Sequence, residues 1–167
     1  MAHKYIISII FVITYILYGD ELGFSVSSPW WTHFTYPFQH ASITHLAINM
    51  LVFITAFRVM EKFISWKVLF PTIYLFAVAA SFFAEQSLPS VGASGMIYAL
   101  FGMETVIVLF NRSTMKQKIT FFSAILLMLV VSFLNTGSNF MIHLLSFSFG
   151  CLFFTTRKWS NLRRQLH

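Results

Sequence analysis

Apolar residues fall into six runs separated by short polar breaks, at approximately 5–18, 41–57, 68–83, 93–110, 119–134 and 140–156. A hydrocarbon core of roughly 30 Å takes about 20 residues of helix. The runs therefore predict six membrane-spanning helices, the shorter of which need tilt or local thinning of the bilayer. Most connections are short. The exception, Gly19 to Gln39, carries Trp30, Trp31, Phe34, Tyr36 and Phe38, a density of aromatic rings that suits the headgroup boundary and predicts a segment lying along the outer interface. The connection from Gln86 to Gly92 contains Pro89 and Gly92, and a chain break there leaves backbone amides free at the start of the next helix. The connection from Asn135 to Asn139 is polar and turn-forming, which predicts a flexible join between spans five and six.

Composition strengthens the membrane reading. Of 167 residues, 57% are hydrophobic and 10% charged, more apolar surface than one soluble domain of this length can bury. The formal charge of +6 does not point to nucleic acid, because the basic residues sit between apolar runs rather than on one solvated patch. Lys4 precedes the first span, and Arg58, Lys62 and Lys67 separate spans two and three. Arg112, Lys116 and Lys118 separate spans four and five, while Arg157, Lys158, Arg163 and Arg164 follow the last. The other three connections hold only Asp20, Glu21 and Glu85 among charged groups. This bias fits six spans with both termini cytoplasmic, and five or seven spans would spoil it. The predicted fold is an all-α integral membrane bundle forming a single domain over residues 1–167, without internal repeats. Reading the first run as a signal peptide is weaker, since no small-x-small cleavage site follows at Tyr18-Gly19-Asp20-Glu21. The single cysteine, Cys151, lies inside the last span and reads as a small packing residue.

Polar side chains inside the hydrocarbon are costly, and each is a candidate functional group facing the bundle interior. Four stand out: His45 and Asn49 in span two, Ser94 at the start of span four, and His143 early in span six. Spans two, four and six all enter from the outer side, so these residues share one depth. His45 and Asn49 are four apart and occupy one helix face. Ser94 lies in Gly92-Ala93-Ser94-Gly95, where glycines permit close backbone approach and a helix start favours a developing anion. Gly95, Ala99 and Gly102 in span four, with Ser146 and Gly150 in span six, are small residues at helical spacing. They allow the two helices to pack closely and bring Ser94 within reach of His143.

The whole pattern is His40-x4-His45-x3-Asn49, then the block Gly92 to Gly102, then His143-x6-Gly150. In residue type, order and span placement it resembles the rhomboid intramembrane serine proteases over about residues 40–150. The resemblance implies that Ser94 is the nucleophile and His143 the general base, a dyad without a carboxylate. Tyr98 would pack against the His143 ring. His45 and Asn49, with the Ser94 amide, would form the oxyanion hole, and His40 would play a structural hydrogen-bonding role. Glu61 looks like the family's acidic residue at the inner end of span two. Where the family usually has glycine three residues after the histidine, this chain has Ser146, and Glu104 has no family role to take. The chemistry is coherent by itself: a serine hydroxyl needs a base to take its proton, and the resulting anion needs fixed donors.

The function expected is cleavage of transmembrane helices near the outer face. The partners are single-span or other transmembrane protein substrates and the lipid bilayer, with no nucleic acid, no cofactor and no metal, since no His-Glu-x-x-His helix motif is present. Lateral entry is expected between spans two and five. With neither a transit peptide nor an appended soluble domain, the bacterial cytoplasmic membrane is the expected location. A non-catalytic rhomboid-like protein would be expected to lack the serine or the histidine. A small transporter using His45, Glu104 and His143 would spread its ionisable groups across the membrane depth.

Overall fold

The computed structural model describes residues 3–18, 21–84, 89–110, 114–135 and 137–165, with side chains from Tyr5 to Arg157. Asp20, Glu85, Arg112 and Thr136 lie outside the described residues, as do the side chains of Lys4, Lys158, Arg163 and Arg164. The chain is all-helical: α1 His3–Tyr18, α2 Thr32–Thr35, a 3-10 turn Tyr36–Phe38, α3 Ile43–Met60, α4 Trp66–Ser81, α5 Ser94–Phe110, α6 Met115–Leu134 and α7 Phe140–Gln165. Among the described residues, three stretches are long and apolar enough to cross a membrane by length and composition: Ile43–Met60, Met115–Leu134 and Phe140–Arg157. The apolar helices Tyr5–Tyr18, Trp66–Ser81 and Ser94–Phe110 are shorter.

Each apolar run holds a helix, but several ends differ, and the short α2 falls outside the runs. Helix α6 begins at Met115 rather than 119, because Thr114 and Gln117 form a capping box that starts the helix in polar sequence. Helix α3 begins at Ile43, where the Ser42 side chain accepts from the His45 amide, and continues to Met60. Helix α4 spans Trp66–Ser81, shifted from the apolar run 68–83. Helix α7 continues past 156 to Gln165. Polar residues end a hydrophobic run without ending a helix.

Helix α5 occupies the centre. Ten of its 17 residues are buried, which is what a helix apolar on every side requires. It packs against α3, α4 and α7, and its contact with α7 is the most extensive between any two elements. The reason lies in two glycines. A Cβ on Gly102 would stand 2.0 Å from the Phe147 carbonyl oxygen, and one on Gly150 would stand 2.1 Å from that of Ala99, so the two backbones touch. Cys151 donates to the Gly102 carbonyl across the same seam at 3.2 Å. Helix α1 packs on α3 through the buried Phe11, whose ring meets Phe53 edge-on at 5.5 Å. Helix α6 is peripheral and buries only Ile125 and Ser132.

The aromatic segment between α1 and α3 divides in two. Trp30, Trp31 and Phe34 are exposed, whereas Tyr36 is buried and donates its hydroxyl to the Ala77 carbonyl of α4 at 2.8 Å. The His33 ring lies between Phe24 (4.3 Å) and Phe82 (4.1 Å), and its Nδ1 is 2.8 Å from Ser81 Oγ. Because Ser81 donates to the Val78 carbonyl, the hydrogen in the histidine contact belongs to Nδ1. Burial lowers the pKa of His33. A short antiparallel bridge, Phe24 with Ser90, fastens this segment to the approach to α5.

Candidate active site

The chain turns into α5 through Gly92, whose φ of +117° is open to glycine and costly for other residues. Its amide donates to the Tyr36 carbonyl at 3.0 Å, and a Cβ there would meet the His45 ring at 2.8 Å and Asn49 Nδ2 at 3.1 Å. This turn leaves Ser94 as the first residue of α5, where first-turn amides have no intrahelical partner and the helix dipole favours negative charge.

Helix α7 brings His143 to the same place. His143 Nε2 is 2.7 Å from Ser94 Oγ, a hydrogen-bond distance. The Tyr98 ring, one turn along α5, stacks on the imidazole with centroids 4.3 Å apart at 17°. The tyrosine hydroxyl donates to the Met128 carbonyl of α6 at 2.9 Å. The other imidazole nitrogen, Nδ1, is 2.6 Å from Ser132 Oγ and 3.4 Å from Ser138 Oγ, and the two serine hydroxyls are 3.0 Å apart.

A cavity of about 470 Å³ opens over this pair, between Ser42, Thr44 and Ile48 at the start of α3 and Asn135, Gly137, Ser138 and Asn139 before α7. Ser94, His143 and His45 line it together. Asn49 does not: it lies behind Gly92, 6% exposed, with Nδ2 buried and without a hydrogen-bond partner among the described residues. His40 is fully buried, edge-on to His45 at 5.2 Å and to Phe11 at 5.6 Å, with Nε2 in a long 3.5 Å contact to the Ala93 amide. Burial, assisted by His45, holds the His40 pKa down to about 3, so the ring is neutral. Gly95 fits where a Cβ would press on Ala77, Ile142 and the Tyr36 hydroxyl.

Glu61, Glu104 and Ser146 do not line the cavity. Glu61 caps the end of α3. Glu104 is half-buried beside Leu51, Thr55 and Phe101 in a separate groove between α3 and α5, and its Oε1 has no partner among the described residues. Ser146 is fully buried on α7, with an equally unpartnered Oγ. The small hydroxymethyl group is accommodated while the glycines on either side hold the α5–α7 contact.

The described residues of the loop before α7 are hydrogen-bonded to their surroundings. Asn139 Nδ2 donates to Ser90 Oγ at 3.2 Å, the Ile142 amide donates to Asn139 Oδ1, and Ser138 reaches Ser132. The same short polar side chains that favour turns here bond the loop to its surroundings. Sequence reasoning also missed Ser132, a hydroxyl near the C-terminal end of the apolar helix α6. Its depth was the available signal, because span five ends where spans two, four and six begin.

A sequence model of the Rhomboid domain matches residues 27–159, which include every polar group lining the cavity. The chain belongs to the rhomboid family, integral membrane proteins that include intramembrane proteases acting on transmembrane proteins. It is also 30% identical over 141 residues, 80% of this chain and 70% of the other, to the Bacillus subtilis (strain 168) protein described as "Putative rhomboid protease YdcA".

Proposed function

We propose that this protein is an intramembrane serine endopeptidase in which Ser94 and His143 form a catalytic dyad. The observation that carries the reading is the 2.7 Å contact between His143 Nε2 and Ser94 Oγ, both of which line an open cavity. Ser94 Oγ attacks the scissile carbonyl carbon as its proton passes to Nε2. The tetrahedral oxyanion lies toward the Ser94 amide and His45, and the unpartnered Nδ2–H of Asn49, enclosed behind Gly92 in this structure, reaches it when the turn at Gly92 shifts on substrate binding. The C–N bond then breaks, the amine leaving with the proton from Nε2 and the acyl group staying on Ser94. Water adds next, giving its proton to Nε2. Collapse releases the carboxylic acid and returns that proton to Ser94. Tyr98 keeps the imidazole in plane, and His40 is structural.

The substrate is a transmembrane helix cut near its outer end, where it has unwound enough to lay a strand over Ser94. It enters laterally between α3 and α6, a reading supported by the cavity's lining, which comes on one side from the start of α3 and on another from Asn135, Gly137, Ser138 and Asn139 in the loop that follows α6. The fold is a single membrane domain of six spans with both termini in the cytoplasm, a topology supported by the distribution of Lys and Arg. The bacterial cytoplasmic membrane is the location, a reading supported by the Bacillus relative.

The test is cleavage of a model single-span substrate in liposomes. Wild-type protein cleaves it, and Ser94→Ala and His143→Ala each lower turnover by at least about 1000-fold. Undiminished cleavage by Ser94→Ala would sink the assignment.

A further inference from the structure

We infer that Ser132 of α6 is the positioning residue for His143, so that the general base is held from a helix outside the central packing. The inference rests on the protease reading above. Three observations carry it.

The first is geometric. Ser132 Oγ stands 2.6 Å from His143 Nδ1, the shorter of two contacts at that nitrogen, and Ser132 is only 5% exposed. A general base must present a lone pair at Nε2 to take the Ser94 proton, and this puts the ring hydrogen on Nδ1. The Nδ1–H needs an acceptor, and Ser132 Oγ is that acceptor. The Ser132 hydroxyl hydrogen then turns to Ser138 Oγ at 3.0 Å. The chain of donors thus runs one way, from His143 through Ser132 to Ser138. The same acceptor serves the imidazolium formed after proton transfer, when both ring nitrogens carry hydrogen. Ser132 therefore takes the place filled by a carboxylate in other serine hydrolases, without a second charge in the membrane.

The second observation concerns Tyr98. Its ring covers one face of His143, and its hydroxyl is fixed to the Met128 carbonyl. Met128 and Ser132 are four residues apart and share one face of α6. Both groups that orient the imidazole are therefore tied to the same turn of the same helix.

The third is how little else holds that helix. Of its 20 residues only Ile125 and Ser132 are buried, and Leu126, Leu127, Val130, Val131, Phe133 and Leu134 face outward. Moving α6 aside to admit a substrate would release Nδ1 and Tyr98 together. The base is correctly set only when α6 is docked.

The experiment compares wild type, Ser132→Ala, Ser132→Thr and Ser132→Val in liposomes. It measures kcat and KM for a single-span substrate, the rate at which a fluorophosphonate labels Ser94, and the thermal midpoint. Threonine and valine share a shape and differ in the hydroxyl. Ala and Val should lose about 10- to 100-fold in kcat and in labelling rate, the scale of one hydrogen bond to a charged group, with KM unchanged. Thr should keep most of both. Equal labelling and turnover in the Thr and Val variants, or a loss confined to KM, overturns the inference. If the bulkier pair unfolds, Ser132→Ala decides, since it removes a single oxygen atom: labelling at the wild-type rate overturns the positioning role. Should wild-type protein neither cleave nor label at Ser94, the protease reading itself fails and this inference falls with it. A slow Ser132→Ala beside an active wild type separates the two cases.

Discussion

Asn49 shows what a buried donor costs and what it can do. Its Nδ2 is enclosed, faces Gly92 and has no partner among the described residues, a state that costs stability unless a ligand uses it. Asn49→Ala is therefore expected to lower turnover about 100- to 1000-fold while leaving the thermal midpoint unchanged or raised. Kinetics in liposomes and an unfolding scan in detergent check the two halves of that expectation. The meeting of Ser94 with His143 was legible in the sequence because polar residues in apolar runs are few and alternating spans bring three of those runs to one depth. The place of Asn49 behind Gly92 was not, because it depends on the left-handed turn at Gly92, which spacing along a helix does not reveal. Ser132 escaped for a related reason: an isolated serine near the end of an apolar helix forms no pattern, and its significance comes from a nitrogen 11 residues away.

Among the elements, the α5–α7 seam sets the distance between Ser94 and His143. Gly102 and Gly150 each face a backbone oxygen within about 2 Å of where a Cβ would stand, so neither position accepts alanine unless the helices separate. Gly102→Ala or Gly150→Ala should cost about 1–3 kcal/mol and reduce activity by lengthening the Ser94–His143 contact. Gly137→Ala, where a Cβ meets only Asn135 Oδ1 at 3.4 Å, should be near neutral. Thermal midpoints of the three variants provide the comparison. The small-residue spacing in spans four and six made this seam readable in advance. Element ends were less readable, since the capping box at Thr114 and the extension of α7 into polar sequence depend on backbone hydrogen bonds that hydropathy does not register.

For the molecule as a whole, the proposed topology places the cavity at the outer ends of α3, α5 and α7. Because Cys151 is the only cysteine, a Cys151→Ser background allows single-site labelling. Ser27→Cys should react with an impermeant maleimide in intact cells, and Lys62→Cys only after the membrane is opened. The reverse pattern would invert the topology. The burial of His33 and His40 gives the outer half a response to acid. Both rings are held below the ordinary histidine value of 6.5, His40 to about 3. As the pH falls below 6.5 the unfolded chain takes up protons that the folded protein refuses, so stability is complete above that pH and declines toward the folded values. For His40 the decline is at most about 1.4 kcal/mol per pH unit. Thermal midpoints at pH 7.5 and pH 5 should differ in that sense, and His33→Phe, which keeps an aromatic ring between Phe24 and Phe82, should narrow the gap. The stacked histidine is thus an acid-labile clasp: in a cell envelope exposed to low pH, the segment fastened to the approach to α5 would loosen before the glycine-packed interior gives way.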